Sequence, residues 1–201
     1  MTAVPAEGDD AAWVDIQAPI AAEKLGVFCA DVERLFRINP YLEFRAWEAL
    51  AGDRFRAEVT NLSNGRRMTL EMRLERRSAL AFRVHYASGV KRSTSFEIRP
   101  QPEGSSLRIT DDYSPRNAGS PDASVAEVDR SLHAWGVALH DYLRLEHRFG
   151  WLPLWHAAAR HLWLPMKPSA RRIARLVVLI AMAEFVFFLL VALIYALEQG
   201  R

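Results

Sequence analysis

From Leu176 to Leu197 the chain runs for 22 residues with Glu184 as its only charge. As a helix rising 1.5 Å per residue, such a run is about 33 Å long, close to the hydrocarbon thickness of a bilayer. A core helix of a soluble protein is seldom apolar on every face for six turns, so a membrane span is expected here. The run lies at the wrong end for a signal peptide, and the first 19 residues hold no long apolar stretch. Only Glu198 to Arg201 follow it, so the expected arrangement is a tail anchor inserted late. Lys167, Arg171, Arg172 and Arg175 precede the span and Arg201 alone follows it. The positive-inside rule then places the preceding residues in the cytoplasm, at a single-pass inner (cytoplasmic) membrane anchor. In that orientation the sequon Asn61-Leu62-Ser63 is a coincidence.

Charge divides the same way. Residues 1–150 carry 20 Lys+Arg against 22 Asp+Glu, whereas residues 151–201 carry 6 against 2. The basic excess belongs to the tail. Nucleic-acid binding, which needs a basic face on the folded part, is therefore not expected. The single cysteine, Cys29, can form neither an intrachain disulfide nor a cysteine-rich metal site, and a lone thiol suits a reducing compartment.

Ahead of the tail the hydrophobic pattern has a period of two. Val14, Ile16 and Ala18 alternate up to Pro19. Two short helices follow, one over 21–29 with Leu25, Phe28 and Cys29 inward, the other capped by Asp31 and running to Arg37 before Asn39-Pro40 stops it. Six more strands are predicted over 44–50, 54–62, 67–75, 80–86, 90–98 and 107–113, separated by turn signals at Gly52-Asp53, Ser63-Asn64-Gly65, Ser88-Gly89 and Gly104-Ser105. The clearest alternation sets Met68, Leu70, Met72 and Leu74 against Arg67, Thr69, Glu71, Arg73 and Glu75. Residues 115–122 read as a loop. From about Ser124 to Arg148 the period becomes 3.6, with Val125, Val128, Leu132, Trp135, Leu139 and Tyr142/Leu143 in one stripe. A sheet with one oily face and a helix with one oily stripe bury each other.

That order, a strand ending at Pro19, helices around Val27-Phe28 and Asp31-Val32-Glu33-Arg34, Asn39-Pro40, six strands and a long helix, resembles the helix-grip fold of the START and birch-pollen-allergen superfamily (SRPBCC), which includes polyketide-cyclase-like proteins. The resemblance covers about residues 12–148. It implies an α+β fold, a seven-stranded antiparallel sheet wrapped on a long C-terminal helix, and a cavity for a hydrophobic ligand. The expected plan is a frayed terminus (1–12), a START-like domain (13–148), an amphipathic juxtamembrane linker (149–170) and a transmembrane tail (171–201).

Sites of chemistry are sparse. His133, His140 and His147 recur every seven residues, two helical turns or about 10.5 Å apart, too far to share one metal ion; Asp129 and His133 offer two ligands without a third. No nucleophile elbow or glycine-rich phosphate loop occurs, and no metal or cofactor is expected. More telling are charges in apolar register. Arg92 precedes Thr94, Phe96 and Ile98, and Asp111 stands between Ile109 and Tyr113. Either both lie near strand ends and reach water or each other, or they anchor the polar head of a ligand in a mainly apolar cavity.

With the cavity that the resemblance implies, the expected lining is Phe55, Met68, Met72, Phe82, Tyr86, Phe96, Tyr113, Trp135 and Leu139, with Arg92 and Asp111 as anchors. The expected ligand is a lipid, quinone or polyketide-like molecule. The alternatives are a cyclase or dehydratase using Asp111, Tyr113 or His85 as acid–base groups, and an accessory subunit of a membrane complex. Trp151, Trp155 and Trp163, just ahead of the span, read either as a membrane-interface belt, with Arg171, Arg172 and Arg175 behind it, or as packing of a linker helix on the domain. Glu184 mid-span costs about 2.5–3.5 kcal/mol on insertion scales. It is either tolerated in a strongly apolar run or meets another transmembrane helix.

Overall fold

The computed structural model describes residues 11–89, 91–113 and 125–199, with the backbone alone for 125–130. The expectations placed on residues 1–10, Val90, the 115–122 loop, the side chains of Val125, Val128 and Asp129, and Arg201 lie outside the described residues. Two compact units result, one ending at Pro165 and one beginning at Met166.

In the first unit, β1 (Ala11–Ala18) leads into α1 (Ala22–Ala30) and α2 (Val32–Arg37). The Asp31 side chain accepts from the Arg34 backbone N–H at 3.1 Å, so the expected cap of α2 is formed. Then come β2 (Leu42–Leu50), β3 (Arg54–Asn61), β4 (Arg67–Ser78), β5 (Ala81–Tyr86), β6 (Ser93–Gln101) and β7 (Gly104–Asp112). All pairings are antiparallel in the order β1-β7-β6-β5-β4-β3-β2. Strands two to seven form a meander, and β1 closes onto β7 with Val14 opposite Ile109.

Several boundaries differ from the pattern: β2 starts at Leu42, β6 runs on to Gln101 and β7 starts already at Gly104, and two further shifts have a clear local cause. β4 runs on to Ser78, because a bulge between Arg76 and Ser78 absorbs the residue that would have ended the alternation. β6 begins at Ser93, because residues 87–89 and Arg92 are bent and break the period of two before it.

One face of the sheet carries Ile16, Ala57, Val59, Met72, Leu74, Phe82, Val84, Phe96, Ile98, Leu107 and Ile109, all buried. Against it lies α3 (Val125–Phe149), whose Leu132, Trp135, Leu139, Tyr142 and Leu143 are buried as the 3.6 period requires. The helix runs close over β1: a Cβ on Gly136 would stand 2.9 Å from a methyl of Val14. Aromatic rings meet at the centre. Phe82 stacks on Phe96 (4.7 Å), Phe96 meets Trp135 edge-on (5.9 Å), and Trp135 tilts against Phe36 of α2 (5.2 Å), which meets Tyr86 (6.5 Å). The Trp135 indole donates to the Leu35 carbonyl at 3.1 Å, so the largest ring in this core leaves no polar atom unmatched.

Past α3 the chain turns at Gly150 into α4 (Pro153–Ala157), followed by a wider π-helical segment, 158–163. These belong to the first unit, and Ala159 and Leu164 are buried. The second unit contains α5 (Pro168–Gln199), 32 residues with a mean hydropathy of 3.0 in its most apolar stretch and none of that stretch buried. It is the one helix among the described residues long and apolar enough to cross a membrane.

Candidate functional site

The inward face of the sheet is largely apolar, with Ser105 bonded to the Ile20 carbonyl at one end and a larger polar group at the other. Thr94 on β6 pairs across the sheet with Asp111 on β7 and with Val84 on β5, so the three share a row. Both polar side chains are fully buried. Asp111 Oδ1 accepts from the Thr94 hydroxyl at 2.5 Å, and Oδ2 accepts from the Tyr113 phenol at 3.1 Å and from the Lys91 ammonium. With the Thr94 proton committed to Asp111, the Tyr86 phenol, 2.9 Å away, donates to Thr94 Oγ1. The result is a directed chain, Tyr86 to Thr94 to Asp111, closed by Lys91 and Tyr113. Burial, with the Asp111 charge behind it, pushes the Tyr86 phenol above its usual range, so it stays protonated at neutral pH.

This arrangement settles which cation meets the buried carboxylate. Of the alternatives open for Arg92 and Asp111, Arg92 has an exposed side chain, and the bend ahead of β6 sets its neighbour Lys91 on Asp111. Lys91 is 29% exposed and lies 5.8 Å from the Tyr113 ring centre, so the polar cluster reaches from the core to the surface. The signal was present in the sequence, since a carboxylate in apolar register demands a cation. Choosing between adjacent basic residues in a turn needed the backbone.

The remaining expected lining residues fall into groups. Met72, Phe82, Tyr86, Phe96, Trp135 and Leu139 are buried together beneath α2 and α3. Phe55 is half-buried and tilted against Trp47, which in turn meets Phe44, an aromatic row toward the β2 edge. Met68 is 36% exposed: it pairs with Val59 near the 62–66 turn, at the end of its strand. It shares the face of the cluster without sharing its burial.

His85 points to the opposite face, where its Nε2 lies 2.6 Å from Glu75, so it does not join the inward cluster. Among the helix histidines, His133 and His147 are exposed, and the His140 ring meets the Gln17 carbonyl at 2.8 Å. Cys29 is buried, which pushes its thiol well above the ordinary range and leaves little thiolate for nucleophilic work.

A second cluster, of which the sequence suggested only the packing of the linker tryptophans, joins α2, α3 and α4. The Arg34 guanidinium lies over the rings of Phe28 (4.7 Å) and Tyr142 (5.2 Å) and donates to the Tyr142 phenol (2.7 Å) and to Glu146 Oε2 (2.9 Å). Trp155 Nε1 donates to the same oxygen at 2.9 Å, and its ring meets Tyr142 and Phe149. Arg160 Nη2 donates to Asp31 at 3.0 Å. Trp155 is thus packed on the domain. Trp151 is 76% exposed, with its indole donating to the Arg148 carbonyl, and Trp163 is half-buried. Arg171, Arg172 and Arg175 occupy the first turns of α5, and Glu184 stands exposed midway along it.

Solved structures with this architecture are numerous. A START superfamily protein from Mycobacterium smegmatis matches with a TM-score of 0.51 at 17% identity, over 67% of this chain and 95% of that one. The fold is a START-type helix grip. The Zhui aromatase/cyclase from Streptomyces sp. R1128 matches with a TM-score of 0.52 at 16% identity, over 72% of this chain and 96% of that one. A protein from Deinococcus radiodurans matches at 0.50 and 18% identity, over 71% and 99%. At these identities the likeness concerns the helix grip alone. No family model matches the sequence. No curated protein matches it either.

Proposed function

We propose that this chain is a membrane-anchored binder of a hydrophobic small molecule, a lipid, quinone or polyketide-like compound, held between the sheet and α3 of the helix grip. The observation that carries the reading is the chain Tyr86–Thr94–Asp111–Lys91 at one end of a largely apolar sheet face. An apolar body against Met72, Phe82, Phe96 and Trp135, and a polar head near Lys91 and Tyr113, match the usual division of labour in a small-molecule site. The apolar helix α5 fits a single-pass anchor, and the basic residues ahead of it favour a cytoplasm-facing domain at the inner membrane. Trp151 and Trp163 are the interface residues of that anchor, and lipid is then the most abundant hydrophobic ligand within reach.

A cyclase-like reaction is the second reading, since the Zhui protein with this fold is an aromatase/cyclase. It is less well supported. Asp111 already accepts from Lys91, Thr94 and Tyr113, which leaves it poorly placed to take a proton from a substrate.

A photoreactive fatty-acyl probe added to membranes holding the full chain tests the binding reading. Labelling of Met72, Phe82, Phe96 or Trp135 is expected. Labelling confined to α5 would contradict it.

A further inference from the structure

Beyond Arg175, the polar residues of α5 are not scattered. At 100° per residue, Tyr195 lies about 20° from Glu184 around the helix, Glu198 about 40° to one side and Gln199 about 60° to the other. Gln199 Nε2 donates to the Tyr195 phenol at 2.6 Å, which fixes those two on one side. Arg171, Arg172 and Arg175 lie on the opposite side, about 120–180° away. Within the span the polar side chains, Glu184 and Tyr195, thus share one stripe, which Glu198 and Gln199 continue at the far end, while the cations ahead of the span lie on the other side.

In line with Glu184, at alternating spacings of four and three residues, stand Val177, Ala181, Phe188, Val191 and Tyr195. Positions at those spacings form the seam when two helices pair left-handedly, and a polar residue at one core position sets the register. Among the described residues Glu184 makes no hydrogen bond or ion pair, and in hydrocarbon a polar group without a partner is costly.

We infer that this stripe is the contact between two copies of the chain, with parallel α5 helices and the Glu184 side chains facing each other. The inference rests on the reading of α5 as a membrane span. A second copy suits the chemistry better than an unrelated helix. A carboxylic acid both donates and accepts, so two of them at one depth bond reciprocally. Copies inserted from the same side place their Glu184 residues at one depth without further adjustment. The opposite side, with its arginines, faces lipid headgroups.

Single cysteines placed in the full chain in its own membrane test this, with the parent, whose Cys29 is buried, as background. Phe188→Cys and Val191→Cys are expected to cross-link to a second copy on mild oxidation, several-fold more than Val186→Cys and Leu190→Cys on the other faces. Energy transfer between labelled copies gives the second measurement. Glu184→Leu is expected to weaken association about five- to thirty-fold, and Glu184→Gln, which also donates and accepts, to keep it within about three-fold. Cross-linking without face preference, loss of association in Glu184→Gln, or cross-linking of this face to a different protein would overturn the proposal. Each variant is first extracted with alkaline carbonate. A chain released by carbonate refutes the span itself, whereas a retained but monomeric chain refutes the pairing alone.

Discussion

Trp155 and Glu146 are joined by a hydrogen bond of 2.9 Å from indole to carboxylate, and the same carboxylate oxygen receives Arg34 at 2.9 Å. One side chain of α3 therefore holds both α2 and the segment that follows the domain. Buried Ala159 and Leu164, and the Arg160–Asp31 pair, extend that attachment. The folded unit consequently ends near Pro165 and not at the end of α3.

A fragment ending at residue 165 is expected to be more stable in urea than one ending at 148, by about 1–3 kcal/mol, the scale of an aromatic and an aliphatic side chain losing partial burial. Trp155→Ala in the longer fragment should reproduce much of that loss. Equal midpoints for the two fragments would show that residues 149–165 contribute nothing to the domain.

Replacing Asp111 by alanine removes the acceptor for Lys91, Thr94 and Tyr113 together. A loss of about 2–4 kcal/mol is expected in chemical denaturation, below the upper range for a broken buried pair because Lys91 is 29% exposed and can turn to water. Arg92→Ala, at an exposed position, should cost clearly less than the change at Asp111. The reverse order would place the functional cation at Arg92.

Much of this architecture was legible in the sequence because its signals are periodic. The alternation of Met72 and Leu74, or of Phe82, Val84 and Tyr86, has only one burial solution, and the stripe from Leu132 to Leu143 demands the sheet as its partner. Legibility fails where period fails. The bend before Ser93 decides between Lys91 and Arg92, and no propensity distinguishes those neighbours. The place of Met68 at the end of its strand reduces its burial without changing its phase. Trp155 sits in a helix of only five residues, too short for a stripe to declare which side is buried. Its partners on α3, Tyr142, Glu146 and Phe149, determine it.

Gly136 is expected to resist substitution. A methyl there would gain about 1 kcal/mol of helix propensity but would stand 2.9 Å from the stiff Val14 side chain, an overpacking that costs about 1–3 kcal/mol. Gly136→Ala should therefore be neutral to destabilising by thermal melting, and Val14→Ala combined with it should recover part of the loss. A Gly136→Ala protein more stable than the parent would mean that α3 does not approach β1 this closely.

Alkaline titration gives an independent check on the core. Burial raises the phenols of both Tyr86 and Tyr142 above their ordinary values, with the Asp111 charge adding to the first and Arg34 opposing at the second. A group whose folded value is raised contributes stability that is complete below its unfolded value, near pH 10, and is lost as pH climbs toward the folded one. Absorbance at the phenolate band should therefore show Tyr86 and Tyr142 ionising only with unfolding, above the ordinary range. The Cys29 thiol, raised by burial, should become alkylatable in the same transition. Ionisation of all the tyrosines near pH 10 in a still-folded protein would contradict the packing around α3.

The most direct measurement takes the full chain from its own membrane, cuts it between Pro165 and Pro168 after purification, and weighs the released domain by native mass spectrometry. A hydrophobic molecule retained on the fragment in stoichiometric amount, and diminished by Lys91→Met, is the expected result. A folded fragment, confirmed by circular dichroism, that carries nothing while all lipid stays with α5 would contradict a ligand-binding helix grip.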